Sequence, residues 1–193
     1  MAKIQEIRGH KILNSRGVWT VDTRITLDNG IYYEQPVPSG ASRGENEAAY
    51  IPVEKSVDII NTAINDALKG EDPSNQEKID QLLLEMDGTK NKSNLGGNSI
   101  LSVSLGVAQV SAIDRDIELF EYLSEIYGKK LSKDKNLKFP TPIFNVLNGG
   151  KHAYNNLSFQ EFMVIPAPMS FIKQMEMGVN IYIKLKDTLL NKG

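Results

Sequence analysis

Residues 19–33, with the sequence WTVDTRITLDNGIYY, carry the clearest strand pattern in the chain. Val21, Thr23, Ile25 and Leu27 alternate with polar residues, which is typical of a strand with one buried face. Asp28-Asn29-Gly30 is a strong hairpin signal, and the residues that follow it begin the return strand. Pro36 and Pro38 then end the pairing, because proline has no amide hydrogen to donate. The pattern predicts an antiparallel meander over residues 4–38.

From residue 52 onward the hydrophobic period changes to that of helices. Five helices are predicted, beginning near residues 52, 72, 98, 118 and 170, and glycines 70, 88 and 128 end three of them. In the second helix, Ser74 followed by Glu77 predicts a capping box. The third helix, residues 98–113, is apolar or small on almost every side, so we expect it to be a buried central helix.

A polar, lysine-rich stretch from residue 128 to residue 138 is the best candidate for a linker. Beyond it lie two apolar strand-like runs, 143–147 and 159–165, and then the last predicted helix. Strands that are apolar along much of their length are covered on both faces, and one helix cannot cover both. We predict an α+β domain over residues 1–138 and a β-β-α segment over residues 139–193 that opens a larger sheet or barrel.

The composition is that of an ordinary globular protein. The 193 residues are 40% hydrophobic and 24% charged, with a net charge of −2 and both signs interspersed. We therefore expect no nucleic acid and no membrane among the partners. The absence of cysteine excludes disulfides and thiolate sites, and the sequence has no run typical of a signal peptide or a membrane span. A cytoplasmic location is expected.

Two glycine-rich loops are candidates for holding an anionic ligand. The first, PSGASRG at residues 38–44, offers glycines, hydroxyls and a guanidinium that can wrap a phosphate or give oxygen ligands to Mg²⁺. A surface turn is the alternative, and composition alone favours it. The second, NGGKHA at residues 148–153, places His152 after two glycines at a strand end, where barrel enzymes keep their chemistry. A structural histidine is the alternative there.

Gln160 and Glu161 follow the second loop closely. As neighbours in a strand they point to opposite faces, unless a bulge or the strand end bends the chain. The pattern favours an exposed polar pair and a pair that lines a site about equally. His10, within the first predicted strand, is interpreted as structural.

Several motifs occur together, in an order and spacing that resemble one family, the enolases. The motifs are NSRG at 14–17, VPSGAS at 37–42, DGTKNK at 87–92, LGGNSILSVSL at 95–105, NGGKHA at 148–153 and FQEFM at 159–163. The resemblance covers residues 12–193 and corresponds to about the first half of an enolase. The chain departs from the family pattern at Asn14, where aspartate is usual, and at Arg43, where threonine is usual.

The resemblance implies that residues 1–138 are the enolase capping domain, a three-stranded meander backed by helices, and that residues 139–193 begin its α/β barrel. The implied activity is that of a lyase, the Mg²⁺-dependent dehydration of 2-phosphoglycerate to phosphoenolpyruvate. The general acid, the lysine base and the carboxylates of the first Mg²⁺ lie later in the family's sequence. We therefore expect an oligomer in which a complementary chain supplies the rest of the barrel, and an inactive isolated chain. The alternatives are a non-catalytic, enolase-derived scaffold subunit and a truncated piece of a longer enzyme.

The resemblance also assigns roles to individual residues in both loops. The first loop, made of Ser39, Gly40, Ala41, Ser42, Arg43 and Gly44, corresponds to a lid over the substrate. Within it, Ala41 makes backbone contacts to the substrate and Ser42 binds the second Mg²⁺. His152 and Glu161 take catalytic roles, and together with Gln160 they line the substrate pocket.

Overall fold

A computed structural model describes residues 2–40, 44–128 and 138–192. The chain divides into two compact units, Met1–Lys133 and Asp134–Gly193. The predicted fold class is confirmed: a meander with helices comes first, and a β-β-α segment follows. The boundary predicted between residues 138 and 139 stays a prediction. Most of the predicted linker, residues 129–137, lies outside the described residues.

The first unit is built on the predicted antiparallel meander. Its strands, in spatial order, are β1 (Ile4–Leu13), β2 (Trp19–Leu27) and β3 (Tyr32–Pro36). Val21 and Leu27 are buried on the same face of β2, as the alternation predicts. Pairing continues one residue beyond Pro36, because the Val37 amide donates to the Val21 carbonyl at 3.0 Å.

Helices pack against this sheet at the predicted positions. They are α1 (Val53–Ile59), a π-turn (Ile60–Ile64), α2 (Asn65–Leu68), α3 (Gln76–Asp87), α4 (Gly97–Asp114) and α5 (Leu119–Ile126). Helix α1 contacts β1, and α4 contacts β2 and β3. Gly70, Gly88 and Gly128 follow the ends of α2, α3 and α5, as the sequence predicts.

The capping box predicted at Ser74 and Glu77 is wrong. The N-cap of α3 is Asn75, whose side chain accepts a hydrogen bond from the third amide of the helix at 3.2 Å. Ser74 instead donates through its amide and its hydroxyl to Asp72 Oδ1, at 2.9 and 2.7 Å. A local aspartate therefore competes successfully for the serine, and the helix begins one residue later.

The outer edge of β1 is closed by asparagines from the π-turn and α2. Asn61 accepts from the Gly9 amide at 2.8 Å and donates to the Gly9 carbonyl at 3.1 Å. Asn65 accepts from the Ile7 amide at 2.9 Å. These side chains occupy backbone groups that an edge strand otherwise offers to another strand. The meander thus has a protected edge on this side.

The sheet and its helices enclose the main hydrophobic core, and Ala108, Ala112 and Tyr122 form a second, smaller cluster. The buried members of the main core are Ile4, Ile7, Val21, Ile25, Leu27, Val37, Ile60, Ile64, Leu68, Ile79, Leu83, Leu95, Val103, Val107 and Val110. Where α4 crosses the sheet, Ser102 Oγ lies 2.6 Å from the Thr23 hydroxyl and 2.8 Å from the Gln35 carbonyl oxygen. The expectation that α4 is central is correct, although Leu101 and Leu105 on its outer side are exposed.

The second unit contains an antiparallel strand pair and a long helix. Its elements are β4 (Phe144–Asn148), a 3₁₀ turn (Gly150–His152), β5 (Glu161–Val164) and α6 (Phe171–Lys192). Helix α6 lies close to β4, because a Cβ atom added at Gly178 would fall 2.3 Å from the Phe144 ring. Strand β5 is shorter than predicted, since Phe159 and Gln160 belong to the preceding loop. None of the helices within the described residues has the length and apolarity that a membrane crossing requires.

Candidate functional site

The first glycine-rich loop leaves the sheet at the end of β3. Ser39 and Gly40 are described, whereas Ala41, Ser42 and Arg43 lie outside the described residues. The described chain resumes at Gly44, whose amide donates to Glu47 Oε1 at 2.8 Å. The roles assigned to the three central residues of the loop therefore stay predictions.

The turn at residues 14–17 lies beside this loop. Asn14 Oδ1 accepts from the Arg16 amide at 2.9 Å and from the Val18 amide at 3.0 Å. Gly17, with a φ of 68°, takes the left-handed conformation that the turn requires. The Arg16 guanidinium reaches across and donates to the Ser39 carbonyl at 3.1 Å. Asparagine at position 14 thus provides the acceptor oxygen that holds the turn, although the family pattern has aspartate there.

The second glycine-rich loop is folded tightly against residues 157–160. Gly149 is buried, and a Cβ atom at this position would lie 2.3 Å from the Phe159 carbonyl oxygen. The Gly149 amide donates to the Gln160 carbonyl at 3.0 Å, and the Gly150 amide donates to the Leu157 carbonyl at 2.8 Å. Any larger residue at position 149 would push the two segments apart. The glycine therefore serves close packing of the backbone.

This packing brings three predicted site residues to one end of the β4–β5 pair. His152 closes the 3₁₀ turn, and its amide donates to the Gly149 carbonyl at 3.1 Å. Glu161 is the first residue of β5 and pairs with Asn148, the last residue of β4. Gln160 precedes the strand at a bend, so the rule that neighbours in a strand face opposite ways does not apply to it. The side chains of His152, Gln160 and Glu161 are all exposed.

The predicted structural histidine, His10, belongs to a cross-strand pair in the first unit. Its Nε2 atom lies 3.2 Å from Asp22 Oδ2, and the two residues are register partners in β1 and β2. Asp22 is buried, with only 6% of its surface exposed. Burial raises the pKa of the Asp22 carboxyl and outweighs the positive charge of His10, and the nearby Glu34 raises it further. Sequence reasoning missed this carboxylate, because it occupies an ordinary polar position of the alternation.

A second buried carboxylate, Asp87, organises the chain between α3 and α4. It accepts from the Leu95 amide at 2.7 Å, from the Asn94 amide at 3.1 Å, and from the Thr89 amide at 3.0 Å and its hydroxyl. Burial acts to raise the pKa of Asp87, but the hydrogen bonds from Thr89, Leu95 and Asn94 together lower it below the usual range. The sequence contains a signal for this role of Asp87, since an aspartate followed by Gly-Thr favours a turn held by the aspartate side chain.

Metal-binding capacity follows from which donor groups lie together. In residues 2–40, 44–128 and 138–192, no three His, Cys, Asp or Glu side chains are grouped closely enough to hold a metal ion. Mg²⁺ requires near-octahedral oxygen coordination with help from carboxylates. Among the described residues, no group of three such side chains is available to supply these ligands.

The fold defines a class of protein, an α+β domain followed by a β-β-α segment. The family model "Enolase, N-terminal domain" matches residues 4–123, and the model "Enolase, C-terminal TIM barrel domain" matches residues 136–193. An enolase of Lactobacillus helveticus (strain DPC 4571) is 43% identical over 201 residues, in an alignment that covers 98% of this chain and 45% of that protein. The chain belongs to the enolase family. It spans about half the length of this curated relative.

Proposed function

We propose that this chain contributes the lid and part of the substrate pocket of a phosphopyruvate hydratase, the lyase that dehydrates 2-phosphoglycerate to phosphoenolpyruvate. The observation that supports this most strongly is the match to both enolase domains, in a chain whose second glycine loop gathers His152, Gln160 and Glu161 at one end of β4–β5. The remaining strands and helices of the barrel come from further polypeptide. We propose that a complementary chain can supply them.

The reaction is difficult because the proton on the carbon next to the substrate carboxylate is barely acidic. When bound, Mg²⁺ supplies positive charge that stabilises the negative charge developing on the substrate carboxylate. Ser42 would give this chain's ligand to the second Mg²⁺, and carboxylates from the rest of the barrel would give most of the others.

The chain's own residues have complementary roles in this proposal. His152 and Glu161 act in catalysis near the phosphate and the leaving hydroxyl, and Gln160 lines the pocket with them. Their exposure at the end of β4–β5 supports this, because a substrate needs access to the groups that bind it. The backbone of Ala41 would complete the contacts from the lid side.

An oligomer with the complementary chain is part of the proposal. In the second unit, hydrophobic side chains such as Phe162, Met163 and Val179 are exposed. Apolar surface of this kind marks a region that another segment covers. The remaining barrel strands would bury these side chains. The carboxylates of those strands would then lie at the end of β4–β5 that carries Glu161.

The test is to combine this chain with a chain carrying the rest of an enolase barrel and to measure phosphoenolpyruvate formation at saturating Mg²⁺. We expect activity from the complex. Ser42→Ala should lower kcat by roughly a hundred-fold with a smaller change in KM, since charge stabilisation is needed most in the transition state. His152→Ala should also slow turnover by roughly a hundred-fold.

His10→Ala is the matched control for the second histidine, because His10 pairs with Asp22 in the sheet. It should change stability and leave kcat within about two-fold of the unsubstituted complex, as expected of a surface residue outside the site. A complex that forms but shows no dehydration would refute the enzymatic proposal. That result would favour the alternative of a non-catalytic, enolase-derived scaffold subunit.

A further inference from the structure

The turn that carries the second histidine is closed by a side chain from the segment that follows it. We propose that Asn155 is a positioning residue: its side-chain amide ties residues 149–154, called here the histidine loop, to the end of β4 and so sets where His152 lies relative to Glu161. The effect on the loop follows from its own contacts. The effect on turnover rests on the proposed enolase function.

The Asn155 side chain makes one hydrogen bond as a donor and one as an acceptor. Its Nδ2 atom donates to the Asn148 carbonyl at 3.0 Å, and its Oδ1 atom accepts from the Leu157 amide at 3.1 Å. A carbonyl can only accept and a backbone N–H can only donate, so these two partners fix the orientation of the side-chain amide. The first bond closes the histidine loop across its base, because Asn148 is the last residue of β4 and immediately precedes the loop.

The backbone of the histidine loop bonds to the same neighbouring residue. The Gly150 amide donates to the Leu157 carbonyl at 2.8 Å, so Leu157 contacts the loop through its carbonyl and Asn155 through its amide. The His152 amide donates to the Gly149 carbonyl at 3.1 Å, at the 3₁₀ turn. Without the Asn155 side chain, the Leu157 amide would lose its acceptor, and the loop would lose the bond that returns the chain to the end of β4.

One residue, Asn148, relates the two side chains that are proposed to be catalytic. Its carbonyl accepts from Asn155, and in the strand ladder it pairs with Glu161. His152 lies in the loop that Asn155 closes, so both His152 and Glu161 are joined to the last residue of β4. This matters because a misplacement of about 1 Å at a catalytic group can cost on the order of a hundred-fold in rate.

Asparagine suits this position because a primary amide carries a donor and an acceptor in one planar group. An ionised aspartate would keep the acceptor for the Leu157 amide, but it would have no hydrogen to donate to the Asn148 carbonyl. An alanine would provide neither group. The Asn155 side chain is exposed, so both substitutions change the two hydrogen bonds without opening a cavity in a core.

The first experiment measures amide protection factors by NMR in the full chain carrying Asn155→Ala, Asn155→Asp or Asn156→Ala. Asn156 is a matched control, since it is the next residue, of the same type and also exposed. Asn155→Ala should lower the protection of the Leu157 and His152 amides by at least about five-fold. Asn155→Asp should lower the protection of His152 alone, because the carboxylate still accepts from the Leu157 amide. Asn156→Ala should leave both protection factors within about two-fold.

The second experiment measures turnover by the full chain combined with the complementary barrel chain. Per mole of complex formed, Asn155→Ala should lower kcat roughly ten-fold and change KM by less than about two-fold. A double variant separates positioning from a general loss of stability. If Asn155 acts through His152, Asn155→Ala should change kcat by less than about two-fold in a chain that already carries His152→Ala.

The two experiments separate the inference from the function on which it partly rests. If the protection of Leu157 and His152 is the same in Asn155→Ala and Asn156→Ala, the inference is wrong whatever the activity. If the two chains form no active complex while protection responds to Asn155, the enzymatic proposal fails and the positioning role stands. If protection responds but kcat does not, or if kcat falls equally with and without His152, the functional half of the inference is overturned.

Discussion

The two units of the chain differ in how completely they bury their own hydrophobic side chains. In the first unit, Ile25, Leu83 and Val107 have no accessible surface. In the second unit, among the described residues, no leucine, isoleucine, valine, methionine or aromatic side chain is buried, and Phe159 is 74% exposed. The first unit therefore has a hydrophobic core of its own, whereas the described part of the second unit leaves its hydrophobic side chains at least partly exposed.

Hydrophobic content does not explain this difference, because both units have apolar strands and a helix with a hydrophobic face. The number of packed layers explains the difference in burial. Three strands backed by several helices enclose a core, whereas a strand pair with one helix can be covered on only one of its two faces. The edges differ as well, since Asn61 and Asn65 occupy the edge of β1. The contrast predicts where the chain is stable and where it is weak.

The largest expected effect is on hydrogen exchange in the isolated chain. Amides in residues 143–165 should exchange roughly a thousand-fold faster than those in the middle of α4, because few buried contacts oppose their opening. Adding the complementary barrel chain should slow exchange in residues 143–165 and leave α4 unchanged. Equal protection of the two regions in a dilute monomer would contradict the contrast between the units.

The next effect is on stability, and it compares one leucine from each unit. Leu83→Ala should lower the free energy of unfolding by about 3 kcal/mol, because it opens a cavity in a core where Leu83 is fully buried. Leu190→Ala should cost less than about 0.5 kcal/mol, because Leu190 is 71% exposed. Urea unfolding of both variants measures the difference. A similar cost for both would mean that the second unit has a core of its own.

The parts of the fold that sequence could predict are those governed by neighbours along the chain. The alternation from Val21 to Leu27 places β2, and Gly88 places the end of α3, because each signal acts within a few residues. The same reasoning failed at Ser74, where an equally local competitor, Asp72, takes the hydroxyl. Local signals are informative as long as one of them dominates.

Long-range contacts could not be predicted in this way. Phe159 and Gln160 belong to the predicted strand run, yet they lie in a loop whose backbone packs against Gly149. The contacts of Asn61 with Gly9 join residues 52 positions apart, and no periodicity reveals them. For the candidate site, the motifs predicted the residues, and the structure places His152, Gln160 and Glu161 at one end of a strand pair.

A smaller effect concerns Asp87, a carboxylate on which the closed unit depends. Asp87→Asn should lower the free energy of unfolding by roughly 2 kcal/mol, because an amide group would face the backbone donors of Asn94 and Leu95. The lowered pKa sets the pH dependence: the stabilisation is complete above the pKa of the unfolded chain and is lost as the pH falls through the folded pKa. Unfolding free energies of the two proteins should therefore approach each other as the pH falls below about 3.9, the usual pKa of aspartate. Curves that stay parallel in acid would show that the carboxylate charge is not responsible.

The smallest effect concerns Asp22. Asp22→Asn should not lower the free energy of unfolding, whereas Asp87→Asn should lower it. Burial raises the folded pKa of Asp22, so the native state holds this proton more tightly than the unfolded chain does. The stabilisation that results is present below the unfolded pKa and is lost as the pH rises through the folded pKa. At pH 7 the buried charge is a cost, and Asp22→Asn should leave the free energy of unfolding unchanged or raise it by up to about 1 kcal/mol. His10 lowers the pKa of this carboxyl and Glu34 raises it, so a loss of stability above about 1 kcal/mol would mean that the pair with His10 outweighs burial.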